Sequence, residues 1–198
     1  KGRSAQAFAE KGEKAVYIGF VKALCGHVVE RGHIPMFWGD IVLKFPEALT
    51  ELPEGTICLN WGYSAYEKED PTRTLAQAGA KQYQCPGVCG WNQIIPRMND
   101  SHENIRRMAE YGAKHGARGI LNTNWGDWGN PCSMELGMYG LVLGAAKSWC
   151  VDTAVDEDFY AAVNSLLYDG EDGIGVAKSE LTAAGKLIIT YSDGTYDD

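Results

Sequence analysis

Apolar side chains recur along this chain at two periods, one near 3.6 and one near 2. Between Ser4 and Glu30, Tyr17, Phe20, Val21, Leu24 and Val28 fall at i, i+3, i+4, i+7 and i+11, one stripe of a helix that stops at Gly32. The run His33–Trp38 follows, and Pro35 near its start suits a strand approached from a loop. A connection carrying Phe45-Pro46, Leu52-Pro53 and Gly55 leads to a second strand, Thr56–Trp61. Residues 72–80 read as a short helix and Lys81–Val88 as a third strand. Ser101 is placed to cap a helix whose Ile105, Met108, Ala109 and Gly112 share a face and which ends at Gly116. A fourth strand, Gly119–Trp125, precedes Asn130-Pro131. Proline at the first helical position, with Met134, Met138, Leu141, Val142, Ala145 and Trp149 on one face, predicts a further helix.

Strand and helix therefore alternate four times, the pattern of parallel strands joined by right-handed crossovers in an α/β layer or barrel. Residues 151–198 fall outside the repeat. They hold an acidic helix at about 156–168, Gly-rich turns, the apolar run Leu187–Tyr191 and an acidic tail. The expected organisation is an α/β unit over 1–150 and an acidic helical or irregular extension over 151–198.

Each predicted strand ends in tryptophan and a polar or glycine-rich turn: Trp38 in FWGD, Trp61 in NWGY, Trp91 in CGWN and Trp125 in NWGD. The four are 23, 30 and 34 residues apart, a mean of 29. An eight-fold (β/α) barrel of ~250 residues spends about 31 residues per unit, and its sites lie at the carboxyl ends of its strands. The spacing thus predicts half of a TIM barrel with four indoles at one mouth. Tryptophan plugs closing a barrel end are the alternative, but a plug needs only bulk, which Leu or Phe supplies without an indole N–H to satisfy. An aromatic cup with a polar rim suits a pyranose, whose C–H face stacks on indole while carboxylates and amides take its hydroxyls. Asp40 and Asp127, each two residues beyond a tryptophan, are the candidate carboxylates, with Asn92, Tyr63 and Asn60 as companions.

Composition narrows the partners. The 198 residues carry 18 Lys and Arg against 26 acids, net −8, which leaves no basic stripe for a phosphate backbone and argues against nucleic acid. No apolar run approaches the ~20 residues of a membrane span. The six cysteines are scattered in apolar surroundings, the pattern of buried thiols rather than a disulfide scaffold, and this leans towards a cytoplasmic protein. Cys85 and Cys89 lack a second pair at zinc spacing, so no metal site is expected. With neither a Walker pattern nor GxGxxG, no cofactor is expected either. His27, His33, His102 and His115 lie on helices or ahead of a strand, away from strand ends.

The ordered set W-G-D at 38–40, L-P-x7-W-G-Y at 52–63, C-P-G-x3-W-N at 85–92 with Arg97, N-I-x3-A-x2-G at 104–112 and W-G-D-W-G at 125–129 resembles the C-terminal half of a family 20 glycoside hydrolase, the β-N-acetylhexosaminidases. The resemblance covers about residues 1–150. It implies strands five to eight of a (β/α)8 barrel and a retaining, substrate-assisted mechanism in which the substrate's 2-acetamido oxygen attacks the anomeric carbon. It also implies that the Asp-Glu pair serving that mechanism lies upstream of Lys1, so no catalytic residue is assigned within the chain. Asp156-Glu157, the Asp-Glu pair that is present, reads instead as a solvated helix start. By resemblance Trp38, Trp61 and Trp125 are pocket walls and floor. Asp127 stands where many members bind the sugar's outer hydroxyls with Glu, and Asn92 where better-known members carry an acetamide-binding Tyr. The expectation is the binding half of a hydrolase of amino-sugar glycosides, inactive by itself; the alternative is a non-catalytic sugar-binding module. Two open sheet edges predict self-association.

Overall fold

The computed structural model describes residues 2–129 and 131–167, and the backbone of the segments 178–181, 187–190 and 196–197. The chain divides into two compact units, Lys1–Val151 and Asp152–Asp198.

The first unit is mixed α/β. It is built on a small parallel sheet of β1 (Met36–Trp38), β2 (Ile57–Trp61) and β3 (Lys81–Cys85), in that spatial order. Phe37 stands opposite Cys58, and Leu59 opposite Tyr83. The expected fourth strand runs parallel beside β3 but is interrupted. Gln84 donates to Gly119 O at 3.0 Å, Leu121 to Gln84 O at 2.8 Å, Thr123 to Pro86 O at 2.9 Å and Val88 to Thr123 O at 2.9 Å. Pro86 has no N–H to give, so the ladder skips one rung and only Gln84–Ile120 and Gly87–Thr123 pair as isolated bridges. The chain thereby carries Trp125 to the same end of the sheet as Trp38 and Trp61.

Helix α1 (Arg3–Glu30) is longer than its stripe and is broken at Gly12, whose φ of 79° leaves the helical region. Its buried face is Ile18, Val21 and Cys25, packed with Val42, Phe45, Ala48, Leu52, Cys58 and Leu75. Phe20 and Leu24, two members of the predicted stripe, are exposed instead. The β1–β2 connection contains two 3-10 turns, Val42–Lys44 and Pro46–Glu51. The β2–β3 connection is α2 (Asp70–Gln77), with Pro71 in its first turn.

Helix α3 (Met98–Lys114) buries Ile105, Met108, Ala109 and Gly112 as expected, and Gly116 at φ 67° follows its end. It starts three residues before Ser101, so Ser101 is no cap; its buried hydroxyl has no partner among the described residues. Helix α4 (Met134–Trp149) also departs from expectation. Pro131 precedes it rather than opening it, and on the predicted face Met134, Ala145 and Trp149 are exposed while Met138, Leu141 and Val142 are half-buried. The buried face is Gly137, Gly140, Gly144, Tyr139, Leu143 and Lys147. The reason is proximity. A Cβ on Gly140 would lie 2.9 Å from Val88 Cγ1, and one on Gly144 would collide with the Asn122 amide, so glycine is what lets α4 lie against the sheet.

The strands divide their side chains between two environments. Ile57 and Leu59 pack with Tyr83 and Cys85. The alternate positions hold a buried polar network in which Asn60 donates to Thr72 at 3.0 Å and to Gln84 at 3.1 Å, Gln84 donates to Gln82 at 3.0 Å, and Gln82 donates to Thr72 O at 3.0 Å. Asn60 is thus a tether between β2, α2 and β3, with its side chain outside the cavity lining.

The second unit holds α5 (Glu157–Leu167) and an antiparallel sheet of β4 (Lys178–Leu181), β5 (Leu187–Thr190) and β6 (Tyr196–Asp197), with β5 central. The helical extension expected from the pattern therefore contains a sheet, and the run from Leu187 is its middle strand; Tyr191 lies outside the described residues. Asp156 caps α5, its carboxylate accepting the Phe159 N–H at 3.1 Å, which is the role given to the Asp156-Glu157 pair above.

Candidate functional site

Seven of the nine residues singled out above meet in one cavity. Trp38 ends β1 and Trp61 ends β2, and the turns beyond them supply Asp40 and Tyr63. Trp91 stands six residues past β3, while Trp125 and Asp127 follow the interrupted fourth segment. Together these residues line a space of about 480 Å³. The other two lie outside the lining: Asn60 is held in the buried network with Thr72 and Gln84, and Asn92 sits at φ 60° in an exposed turn.

The turns are shaped by two glycines. Gly39 donates its N–H to Leu59 O at 2.9 Å, and a Cβ there would collide with Cys58 Sγ, so the Trp38-Gly39-Asp40 turn can press onto β2. Gly87 lies beneath the rings: a Cβ there would stand 2.9 Å from Tyr63 Cδ1 and 3.2 Å from Trp91 Cζ3.

Tyr63 is the centre of the aromatic set. Its ring stacks on Trp61 at 5.2 Å and 25°, meets Trp91 edge-on at 5.1 Å and 61°, and its oxygen accepts the Trp125 indole N–H at 2.7 Å. Trp38 and Trp125 lie 5.6 Å apart at 53°. Such ring pairs contribute about 0.5–1.5 kcal/mol beyond burial, and the hydrogen bond satisfies a polar group that a plain core plug would have left wanting. Burial pushes the Tyr63 phenol above its ordinary 10, an effect that the Trp125 and Thr123 hydrogen bonds reduce, so it keeps its proton at neutral pH.

Trp91 is a buttress rather than a free face. The Arg97 guanidinium lies 5.4 Å from its centroid, and the Tyr63 edge meets it as well. Trp38, Trp61 and Trp125 remain 36–41% exposed and are the indoles that can offer surface to a ligand. The lining carries two carboxylates, Asp40 and Asp127, and no cationic side chain among the described residues. That combination disfavours phosphates and other anions and suits a neutral or amino-bearing polyol.

The sequence pattern missed Asn104. It is fully buried on α3, accepts the Gly87 N–H at 3.0 Å through Oδ1 and donates through Nδ2 to Gly62 O and Ser64 O, both at 3.0 Å. Its signal was its place in the N-I-x3-A-x2-G motif, where it stood without a stated role.

Cys25, Cys58, Cys85, Cys89 and Cys132 are buried and Cys150 is exposed, none of the six in a disulfide. Among the described residues no group of three or more His, Cys, Asp or Glu side chains is gathered for a metal, and no helix is long and apolar enough to cross a membrane. No protein-family model matches the chain, and no curated protein matches it either.

Proposed function

We propose that this chain is the sugar-binding half of a β-N-acetylhexosaminidase-like glycoside hydrolase, its strands forming strands five to eight of a (β/α)8 barrel. The observation that carries the reading is the convergence of Trp38, Trp61, Trp91 and Trp125 with Asp40, Tyr63 and Asp127 on one cavity of about 480 Å³. That volume accommodates a single pyranose ring, whose apolar face would lie on the half-exposed indoles while its hydroxyls donate to the two carboxylates.

The parallel strand order and the delivery of each tryptophan to one end of the sheet support the barrel reading. The motif resemblance assigns the acid/base pair to sequence before residue 1, so the activity proposed for this chain is binding, and turnover belongs to the parent enzyme. Self-association through β1, which among the described residues pairs only with β2, belongs to the same proposal and is read by sedimentation.

Calorimetric titration with N-acetylglucosamine, glucosamine and glucose tests the proposal. Saturable binding of an amino sugar, abolished by Trp61→Ala, is expected. Absence of binding to all three at millimolar concentration, or turnover of an aryl N-acetylglucosaminide by the chain alone, contradicts it.

A further inference from the structure

The backbone that carries the aromatic residues is held by one side chain from outside the cavity. Asn104 has two N–H donors and one carbonyl oxygen, and both donors and the oxygen are engaged. The two carbonyls it binds, on Gly62 and Ser64, flank Tyr63 on either side and lie 42 and 40 residues away in sequence. The amide it receives belongs to Gly87, the residue on which the rings of Tyr63 and Trp91 rest. One fully buried amide therefore spans the Tyr63 loop and the Gly87 turn, where the Tyr63 ring meets Trp91 edge-on and its oxygen accepts from Trp125.

We propose that Asn104 is the positioning residue of the aromatic cup, tying the Tyr63 loop to the Gly87 turn and so setting the ring arrangement on which ligand affinity depends. The identity of the ligand rests on the amino-sugar reading above; the ring arrangement does not. Asparagine is the side chain the site calls for. Aspartate has the same shape and could still accept from Gly87, but its carboxylate would face two carbonyls with nothing to donate. Alanine abandons all three groups, two of them on buried Gly62 and Gly87.

The test uses the full 198-residue chain. Asn104→Ala and Asn104→Asp are compared with Asn60→Ala, which removes another buried side-chain amide, one bonded to α2 and β3 and to neither pocket loop. The readouts are the Kd for N-acetylglucosamine and, in ligand-free protein, the indole N–H resonance of Trp125, assigned with Trp125→Phe. Both Asn104 variants are expected to weaken binding at least tenfold and to move the Trp125 resonance towards that of solvent-exposed Trp149. Asn60→Ala is expected to lose melting temperature yet keep affinity within twofold and the resonance in place.

A folded Asn104 variant with both readouts unchanged overturns the proposal, as does an Asn60→Ala that shifts both equally. Where the unaltered chain binds no sugar, the amino-sugar reading fails alone and the resonance judges Asn104. A measurement independent of any variant is exchange of the Gly87 amide proton in the unaltered chain. Protection equal to that of β3 is expected, and fast exchange overturns the proposal.

Discussion

Alanine at Gly87 perturbs the cup with little else disturbed. Gly87 has no positive φ, so alanine there meets no left-handed backbone strain. The added Cβ, however, would lie 2.9 Å from Tyr63 Cδ1 and 3.2 Å from Trp91 Cζ3. Carbon atoms rest at about 3.5–4.0 Å, so the Tyr63 ring must withdraw by about 0.6 Å or more. Trp61 stacked on it and Trp91 at its edge limit where it can go. Overpacking of this kind costs about 1–3 kcal/mol, and the open side of the cup puts the expected loss near 1. The same withdrawal stretches the 2.7 Å Trp125–Tyr63 hydrogen bond. Losing about 1 kcal/mol of ligand interaction corresponds to roughly a fivefold rise in Kd, since about 1.4 kcal/mol is tenfold. The assay is a urea midpoint together with a calorimetric titration with N-acetylglucosamine. Gly62→Ala serves as the comparison: the three atoms nearest its Cβ all belong to the Glu67 carboxylate, which can swing aside, and its stability change is expected within about 0.5 kcal/mol. A Gly87→Ala chain with unaltered midpoint and unaltered affinity would refute the reasoning, because the rings could not then be resting where the structure puts them.

The glycine face of α4 predicts that Gly140→Ala destabilises by about 1–2 kcal/mol in urea. Its Cβ would lie 2.9 and 3.1 Å from the methyls of buried, β-branched Val88, and this outweighs the ~1 kcal/mol gain in helix propensity. Gly26→Ala in α1, where a Cβ meets nothing within 4 Å, should instead stabilise by about 0.5–1 kcal/mol. Stability should fall on acidification in two steps. Burial, and then Lys147, hold the His102 imidazole below its ordinary 6.5, so the unfolded chain takes up that proton first and the loss begins as pH drops through about 6.5; His102→Gln should flatten this step. Glu103, held at about 2 by Arg106 and Arg107, contributes in full above about 4.5 and loses that contribution as pH falls towards 2, a step of about 1 kcal/mol or less after solvent screening; a urea midpoint that rises between pH 7.5 and 3.5 would contradict both. Burial raises the Cys58 and Cys85 thiols to about 12 and Cys89 to about 11, so an aromatic disulfide reagent at pH 8 should modify exposed Cys150 rapidly and the others only in denaturant.

Much of the site could be read from the chain because it is written in local units. Each tryptophan and its polar turn follow a strand signal, and parallel strands bring their carboxyl ends together, so Trp38, Trp61 and Trp125 needed only the alternation of elements to be placed at one end. What escaped depended on contacts distant in sequence. Apolar content favoured Met134 and Trp149 as the buried face of α4, whereas the sheet selected the glycines, because close approach to Val88 and Asn122 outweighs side-chain hydrophobicity. Asn60 and Asn104 show the same limit. Both are asparagines near pocket tryptophans or motifs, yet one faces α2 and the other bridges two loops some forty residues away, a distinction carried by hydrogen-bond partners that no local spacing reveals. Ser101 resembled a cap, but α3 had begun a turn earlier. The antiparallel pairing of the second unit had no signal beyond the single run at Leu187.

The central claim is that the tryptophan cup takes an amino sugar, and the indole N–H resonances of the chain test it most directly. Titration with N-acetylglucosamine is expected to shift the Trp38, Trp61 and Trp125 signals along one saturating curve while Trp149, 93% exposed and outside the cavity, stays still. Signals that do not move at tens of millimolar, or that drift together with Trp149 without saturating, would contradict it.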